Sequence, residues 1–278
     1  MDFIEVDCTV TPPGDYTEIL IAYLAAAGFS MFEEKEDGVK AYIESSRFNQ
    51  QELDAIPLIS GHEEATVSYK LSAIARKNWN EEWEKNFKPV IIGKEVYVRA
   101  EYHLRDPSYR YELIVQPRMA FGTGHHATTS MMLEAMLEID FSGKTVLDMG
   151  CGTGILAILA DKMNAASVMA IDNDPNATEN AVVNCTVNET RVISVFTGDA
   201  KTPGDSKFDV ILANINRNII LEDLALYNHN MRSGSLLLTS GYYLADLDLI
   251  RDKATSLGIE FVSHRSLDNW CQATFIKK

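Results

Sequence analysis

The chain has 278 residues, of which 46% are hydrophobic and 23% charged, the balance of a folded globular protein long enough for two domains. Its formal net charge of -15, from 25 basic and 40 acidic residues, argues against DNA or RNA as the principal partner, because nucleic-acid binders usually present a basic face. A basic protein would be drawn to such a surface, although acidity also simply keeps a protein soluble.

Signals for membrane insertion, secretion and metal binding are missing from the sequence. No run approaches the roughly 20 apolar residues that a membrane helix needs, and the first residues are acidic where a secretory signal carries Lys or Arg. The four cysteines are far apart and show no ligand spacing. His125 and His126 are adjacent and would point about 100° apart on a helix. We therefore expect a cytoplasmic, monomeric protein with reduced thiols and no metal site.

Residues 1–75 predict a small α+β domain in the order β-α-β-β-α-β, which is the ferredoxin-like arrangement. Asp15 is placed to cap the first helix, with Glu18 in the capping-box position three residues later. The predicted elements are a strand over 3–10, a helix over 16–24, a hairpin over 29–34 and 39–44, a helix over 48–56 and a strand over 65–71.

Residues 76–88 predict a linker helix between two domains. Trp79, Trp83 and Phe87 recur at four-residue intervals in this charged segment and would share one helical face. We expect that face to pack against a neighbouring domain.

From residue 89 to 278, short apolar strands alternate with helices, which predicts an α/β domain with a mostly parallel sheet. The predicted strands are 145–149, 167–171, 192–196, 210–213 and 236–239, the helices are 155–163 and 175–188, and a final strand pair starts at 259.

The glycine-rich loop after the first of these strands carries the strongest ligand signal. Glycines allow the tight turn and close approach that a cofactor needs at a helix N-terminus. Gly152-x-Gly154-x-x-Ala157 fits a dinucleotide fingerprint. The longer run, which adds Asp148 and Gly150, fits an S-adenosylmethionine site, because Asp148 can attract the methionine ammonium group directly or through water. That acid would be awkward beside a pyrophosphate, so we favour S-adenosylmethionine.

Polar residues follow the next three strands. Asp172 is placed to accept hydrogen bonds from ribose hydroxyls, a role that NAD enzymes and methyltransferases share, and Asp174 is placed to cap the following helix. Asp199 is placed either to contact the adenine amino group or to close a turn. Asn214 can offer its side-chain carbonyl to an incoming N–H donor beside the transferable methyl group, or cap the next helix, a task that Asn216 could also perform.

A loop with two glycines around Thr123 precedes the first core strand. One interpretation is a lid over the cofactor, with Phe121 shielding it from water. The other is a tight turn before the helix that starts near Thr128. The residues themselves do not distinguish the two.

Together these motifs resemble the family of bacterial methyltransferases that modify large-subunit ribosomal protein eleven. The resemblance extends from about residue 78 to the end, whereas the first 75 residues match in pattern only. The runs that carry it, in the family's order and spacing, are 78–89, 120–129, 146–157, 172–175 and 213–215.

The resemblance implies a class I methyltransferase domain, with a Rossmann-like, mostly parallel seven-stranded sheet and S-adenosylmethionine as cofactor. It implies that the ferredoxin-like domain recognises the ribosomal protein and that methyl groups pass to its lysine side chains and N-terminal amine. It requires no nucleic acid. By motif position, cofactor contacts fall on Thr129, Gly150, Asp172 and Asn214, with Phe121 and Thr123 in the lid.

Two runs depart from the family pattern. Residues 116–118 are Gln-Pro-Arg where the family usually has acid-Pro-Gly, and residues 214–217 are Asn-Ile-Asn-Arg where the family often has Asn-Ile-Leu. These departures leave methyl transfer as the expected reaction and leave the acceptor set open. No residue is identified as a general base.

Three alternatives remain open. The first is a class I methyltransferase acting on glutamine or a nucleic-acid base, although such enzymes often carry Asn/Asp-Pro-Pro-aromatic after the fourth strand and this chain does not. The second is a NAD-dependent oxidoreductase. The third is a catalytically idle binding protein that keeps the cofactor loop.

Overall fold

The computed structural model describes residues 3–61, 65–74, 87–116 and 122–278. The chain divides into two compact units, Met1–Glu82 and Trp83–Lys278, each with its own hydrophobic core. Within the described ranges no helix combines the length and apolarity that would let it cross a membrane. Most of the expected linker helix lies outside the described residues.

The first unit is a four-stranded antiparallel sheet of order β2-β3-β1-β4. Alternate residues of β1 and β3 are buried, and they form one core with the apolar residues of the helices. This confirms the ferredoxin-like arrangement. The elements are β1 (Phe3–Thr11), α1 (Asp15–Ala26), β2 (Met31–Lys35), β3 (Gly38–Glu44), α2 (Gln50–Asp54), α3 (Pro57–Ser60) and β4 (Thr66–Ile74).

Two local predictions in this unit are wrong. Asp15 is the first helical residue rather than the cap, and Gly14 occupies the N-cap position with φ of 85°. The helix expected over 48–56 is shorter, Gln50–Asp54, and a separate short helix, Pro57–Ser60, follows it, because Pro57 disfavours the helical region for the preceding residue. Ile56 accordingly has φ -59° and ψ 127°.

The second unit contains a seven-stranded sheet and a small three-stranded sheet, β5-β6-β7. Its elements are β5 (Val90–Ile92), β6 (Val96–Arg99), β7 (Tyr111–Ile114), α4 (Ala127–Leu137), β8 (Thr145–Met149), α5 (Ile155–Lys162), β9 (Ser167–Asp172), α6 (Pro175–Val187), β10 (Ile193–Thr197), β11 (Phe208–Asn214), α7 (Arg217–Asn230), β12 (Met231–Tyr243), a 3-10 turn (Leu244–Asp246), α8 (Leu247–Ser256), β13 (Ile259–Leu267) and β14 (Trp270–Lys277).

The large sheet has the order β10-β9-β8-β11-β12-β14-β13. Six of the seven strands run in one direction, and β14 runs opposite to them. The chain places β8, β9 and β10 towards one edge and then returns to place β11 and β12 towards the other. The order therefore reverses between β8 and β11, and ligands bind at the carboxyl ends of strands at such a switch point. This topology confirms the expected class I fold.

Helices cover both faces of this sheet. Successive strand residues point to opposite faces, so Val146 and Leu212 pack in one core, and Leu147 and Ile211 pack in the other. Helices α4, α5 and α6 contribute to the first core, and α7 and α8 contribute to the second. The strands are buried on both sides, which explains their short apolar runs.

Two buried asparagines of α6 and its C-cap hold the end of β7 beside the glycine-rich loop. Asn188 accepts from the Ile114 backbone N–H at 2.9 Å and donates to the Ile114 carbonyl at 2.6 Å. One helical turn earlier, Asn184 accepts from the Gln116 N–H at 2.9 Å and donates to the Thr153 carbonyl at 2.8 Å. Because an amide both donates and accepts, these side chains satisfy backbone groups that no strand pairs.

Candidate active site

The carboxyl ends of β8, β9, β11 and β12 border one cavity of about 420 Å³, a size suited to a small organic ligand. It lies at the switch point of the sheet. The described residues that line it are His126, Thr128, Gly150, Gly152, Asp172, Asn173, Asn214, Ile215, Asn216, Ile219, Gly241 and Trp270.

The glycine-rich loop needs its glycines for both conformation and space. Gly150, Gly152 and Gly154 have φ of 71°, 53° and 76°, which lie in the left-handed region that favours glycine. A Cβ on Gly150 would lie 2.1 Å from Ile215 Cγ2. The loop after β8 therefore passes against the loop after β11 with no room for a side chain.

Replacing Gly150 with Ala is expected to lower the free energy of unfolding by about 2 kcal/mol more than replacing Gly143 with Ala. Gly143 has a similar φ of 70°, but a Cβ there meets nothing within 4 Å. The control therefore contains the same backbone strain without the clash. Urea unfolding of both variants measures the difference, and equal losses would show that Ile215 moves aside freely.

Asp172, at the end of β9, is oriented by two backbone groups. Its Oδ2 accepts from the Gly152 N–H at 2.9 Å, and its Oδ1 accepts from the Asp174 N–H at 3.0 Å. Each carboxylate oxygen retains a further lone pair towards the cavity that it lines. The fixed carboxylate fits a ligand with two neighbouring hydroxyl groups, such as a ribose.

Two helix caps bear on the predicted roles of nearby polar residues. Asp174 accepts from the Asn176 N–H at 2.9 Å and caps α6. Asn216 accepts from the Asn218 N–H at 2.9 Å and caps α7. Asn214 is therefore not needed as a cap.

Asp148 lies behind the glycine-rich loop and is fully buried. Its Oδ2 accepts from the Ala157 N–H at 3.1 Å, whereas its Oδ1 has no hydrogen-bond partner among the described residues. Burial raises the pKa of this carboxyl to about 7, with a further upward contribution from the negative charge of Asp172 and an opposing one from the Ala157 N–H. Asp148 is not among the described residues that line the cavity, so the sequence prediction that it attracts a cationic ligand group remains a prediction.

The buried carboxyl of Asp148 should make stability fall as pH rises. Its pKa of about 7 is above its ordinary 3.8. Between those two values the folded chain holds a proton that the unfolded chain has lost, so the free energy of unfolding decreases across that window. We expect about 2 kcal/mol of loss between pH 5 and pH 7.5 relative to Asp148→Asn, which cannot titrate. Urea unfolding of both proteins at each pH measures this loss. An equal change in the free energy of unfolding with pH for the two proteins would contradict this assignment.

Asn214 and Thr129 come together although they are distant in the chain. Asn214 Nδ2 donates to Thr129 Oγ1 at 3.2 Å, and Thr129 is fully buried. Asn214 lines the cavity, while its Oδ1 is shielded from solvent and has no hydrogen-bond partner in the part of the chain that the structure describes. Thr129 does not line the cavity, but its hydrogen bond orients the Asn214 side chain, which does.

The structure does not bring every expected residue to the cavity. Asp199 does not line it, and its Oδ1 accepts from the Lys201 N–H at 2.9 Å, which is the turn interaction that the sequence left open. Thr123 is also absent from the lining, and its Oγ1 lies 3.3 Å from His125 Nδ1. Phe121 and Arg118 lie outside the described residues.

The loop that follows residue 121 is nevertheless tied to the glycine-rich loop. Thr153 Oγ1 donates to the Gly122 carbonyl at 2.5 Å. A Cβ on Gly122 would lie 2.8 Å from the same hydroxyl oxygen. The sequence interpretation of these residues as a cofactor lid remains a prediction.

Sequence reasoning missed the aromatic side of the cavity. His126 caps α4, and its ring lies 4.9 Å from the ring of Trp270. Trp270 begins β14 and stacks on Tyr243, with 4.4 Å between ring centroids. Gly241 also lines the cavity, and a Cβ there would lie 2.3 Å from the Ile215 carbonyl oxygen. Gly241 lies two residues beyond the strand predicted over 236–239, and only the structure places it inside β12.

Comparison with known proteins links most of the chain to one family. The model of the family described as ribosomal protein L11 methyltransferase (PrmA) matches residues 22–278. A ribosomal protein L11 methyltransferase from Phocaeicola vulgatus is 43% identical over 281 residues, covering 100% of both chains. One from Porphyromonas gingivalis is 43% identical over 260 residues, covering 93% of this chain and 90% of the relative.

Solved structures agree on the fold. A ribosomal protein L11 methylase from Lactobacillus delbrueckii subsp. bulgaricus has a TM-score of 0.64 at 23% identity and covers 69% of this chain and 98% of its own. A 16S rRNA N2 G1207 methyltransferase from T. thermophilus, in complex with AdoMet and guanosine, has a TM-score of 0.50 at 18% identity. It covers 57% of this chain and 45% of its own.

Proposed function

The chain belongs to the ribosomal protein L11 methyltransferase family, and from this premise we propose that it transfers methyl groups to lysine side-chain and N-terminal amines of ribosomal protein L11. Its cofactor is S-adenosylmethionine, as for the family. The observation that carries the amine assignment is the unpartnered Oδ1 of Asn214 in the wall of the cavity.

The residues present fit the cofactor. Gly150 and Gly152 let the backbone approach it closely, Asp172 offers two fixed oxygens to its ribose, and the unpartnered oxygen of Asp148 suits its ammonium group. When bound, S-adenosylmethionine supplies an electron-poor methyl group on a positively charged sulfur. Because this leaving group is already activated, the contribution expected of the protein is positioning and exclusion of water.

Asn214 is the residue that we assign to the acceptor amine. Its Nδ2 is engaged by Thr129 and its Oδ1 has no partner. The terminal torsion of an asparagine is broad, so a small rotation presents the oxygen to the cavity. A carbonyl oxygen accepts from an amine N–H and orients the nitrogen lone pair towards the methyl group.

We assign no general base. A free lysine amine has a pKa of about 10.4 and must lose a proton before it can attack. Desolvation lowers the pKa of an ammonium group as it moves from the mouth of the cavity towards the methyl group, so the proton passes to water before the amine reaches Asn214. Asp172 is the acid in the described lining, and its carboxylate already accepts from two backbone N–H groups.

The unusual run after Asn214 supports an amine rather than a planar acceptor. Asn216 caps α7, and Arg217 Nη1 forms an ion pair with Asp246 Oδ1 at 2.6 Å. Both side chains stabilise the local structure, and neither provides the flat apolar surface that holds a planar NH₂ group. The departure from the family pattern therefore lies beside the acceptor path without changing the proposed chemistry.

We assign substrate recognition to the ferredoxin-like domain, residues 1–75, and the change of substrate orientation to the linker, residues 76–88. Several acceptor amines on one substrate require several orientations relative to residues 89–278. The net charge of -15 favours a basic protein substrate.

Mass spectrometry of ribosomal protein L11 after incubation with the enzyme and S-adenosylmethionine tests the proposal. We expect mass gains in steps of one methyl group, absent with Asp172→Ala. As a matched substrate control, L11 with all amines acetylated should gain nothing. Methylation of the acetylated protein would move the acceptor to another group. No gain on unmodified L11, with cofactor binding still seen by calorimetry, would overturn the substrate but not the cofactor.

A further inference from the structure

The sheet order separates the cavity into two ends. Gly152 and Asp172 belong to the loops after β8 and β9, on one side of the switch point. Gly241 and Trp270 belong to β12 and β14, on the other side, and Asn214 ends β11 between them. Because the proposed cofactor contacts lie on the β8–β9 side, the acceptor must approach from the β12–β14 side.

An ordered aromatic pair stands on the acceptor side. Tyr243 and Trp270 are directly opposite each other in the antiparallel register of β12 and β14. Their rings stack at 4.4 Å with an interplanar angle of 30°, and the ring of His126 meets Trp270 at 4.9 Å and 69°. Neighbours on two sides hold the indole of Trp270 in one orientation in the cavity wall.

Apolar surface on this side is partly exposed, next to the polar lining residues His126, Thr128 and Asn216. Ile219, which lines the cavity, is 45% exposed, and Tyr243 is 52% exposed. Apolar side chains grouped at the mouth of a cavity indicate a binding surface rather than a folding requirement.

No carboxylate stands on this side among the described lining residues, since Asp172 lies at the other end. This matters for the chemistry, because a carboxylate beside the acceptor would raise the pKa of its ammonium group and keep it protonated. An aromatic face attracts a cation without accepting a strong hydrogen bond from it. A long side chain with a cationic head also buries its methylene stem along apolar surface.

We propose that Trp270, braced by Tyr243, is the specificity-determining wall of the acceptor subsite and takes the methylene stem and cationic head of a lysine side chain. The inference rests on the proposed function, because it names the subsite for that reaction. It concerns recognition rather than bond formation. Trp270 should therefore affect KM for the protein substrate more than binding of the cofactor.

Steady-state kinetics with ribosomal protein L11 tests this wall. Trp270→Leu is expected to raise KM roughly tenfold, and Trp270→Phe by less, because Phe keeps an aromatic face. The cofactor Kd, measured by calorimetry, should stay within about twofold in both variants, the scatter expected for sites that do not touch. Phe196→Leu, an exposed aromatic on the edge strand β10, is the matched control and should change neither quantity. Equal KM increases for Leu and Phe, or a parallel rise in cofactor Kd, would overturn the assignment.

A second readout does not depend on turnover. In the presence of S-adenosylhomocysteine, Nα-acetyl-lysine amide should change the tryptophan fluorescence of the wild type but not of Trp270→Phe. Nα-acetyl-norleucine amide, which has a similar stem and no ammonium group, should bind several-fold more weakly. Equal binding of the two amides, or a response that persists in Trp270→Phe, would overturn the inference. A Trp270 response without methylation of L11 would instead support the subsite and contradict the proposed substrate.

Discussion

Replacing Asp172 with Asn is expected to weaken binding of S-adenosylmethionine by roughly 100- to 1,000-fold, which corresponds to the loss of two charge-assisted hydrogen bonds. Both carboxylate oxygens accept from backbone N–H groups, those of Gly152 and Asp174. Asparagine has one oxygen, so its NH₂ group would face one of these donors. The variant therefore loses the charge towards the ribose and also disturbs the glycine-rich loop.

Titration calorimetry of wild type and variant measures this effect, with Asp174→Asn as the matched control. Asp174 carries the same charge two residues away, but it caps α6, a role that Asn also performs. The control should bind the cofactor within about threefold of the wild type. Equal losses in both variants would attribute the effect to net charge rather than to the ribose contact.

Replacing Asn214 with Ala is expected to lower kcat by about 100-fold, the size associated with losing one oriented acceptor in a transition state. The side chain donates to Thr129, and its Oδ1, which has no partner among the described residues, is the atom that we propose accepts from the acceptor amine. Single-turnover methylation of L11 separates this effect from substrate binding. A large rise in cofactor Kd, with kcat unchanged, would place Asn214 in the cofactor contact alone.

Asn214→Asp gives the complementary measurement. The carboxylate keeps an acceptor oxygen but raises the pKa of a neighbouring ammonium group, so the acceptor stays protonated to higher pH. We expect the rate–pH profile of Asn214→Asp to shift to higher pH relative to the wild type. A profile that loses amplitude without shifting would indicate that Asn214 only supports the structure around Thr129.

The Asn184 and Asn188 amides help to position the loops on which the predicted effects at Asp172 and Asn214 depend. Asn184 bonds both the Thr153 carbonyl, in the glycine-rich loop, and the Gln116 N–H, at the end of the segment that precedes the expected lid. Because buried backbone groups are costly to leave unpaired, these hydrogen bonds from α6 fix the position of the glycine-rich loop relative to the sheet. The geometry at Asp172 and Gly152 thus depends on a helix whose asparagines never reach the cavity.

Local features of the site could be predicted because their causes lie within a few residues of the chain. The glycines at 150, 152 and 154 adopt the left-handed backbone that the motif requires, and Asp174 caps the helix that its position predicted. Strand and helix periodicity is also local, and it predicted the order of elements from which the class I sheet follows. The sequence by itself therefore determined the fold class, the family and the conformation of the glycine-rich loop.

The residues that we propose for the acceptor end are brought together only by the tertiary structure. Trp270 meets Tyr243 because β14 inserts antiparallel beside β12, and it meets His126 because that residue caps the N-terminus of α4, which begins beside the cavity. Strand order and register depend on long-range packing, which neighbouring residues do not encode. The same reason explains why Asp199 closes a turn and why Asp148 is buried with one oxygen unpaired. The local sequence determines which loops have the backbone conformation to bind a ligand. The packing of distant segments determines which polar groups face that ligand.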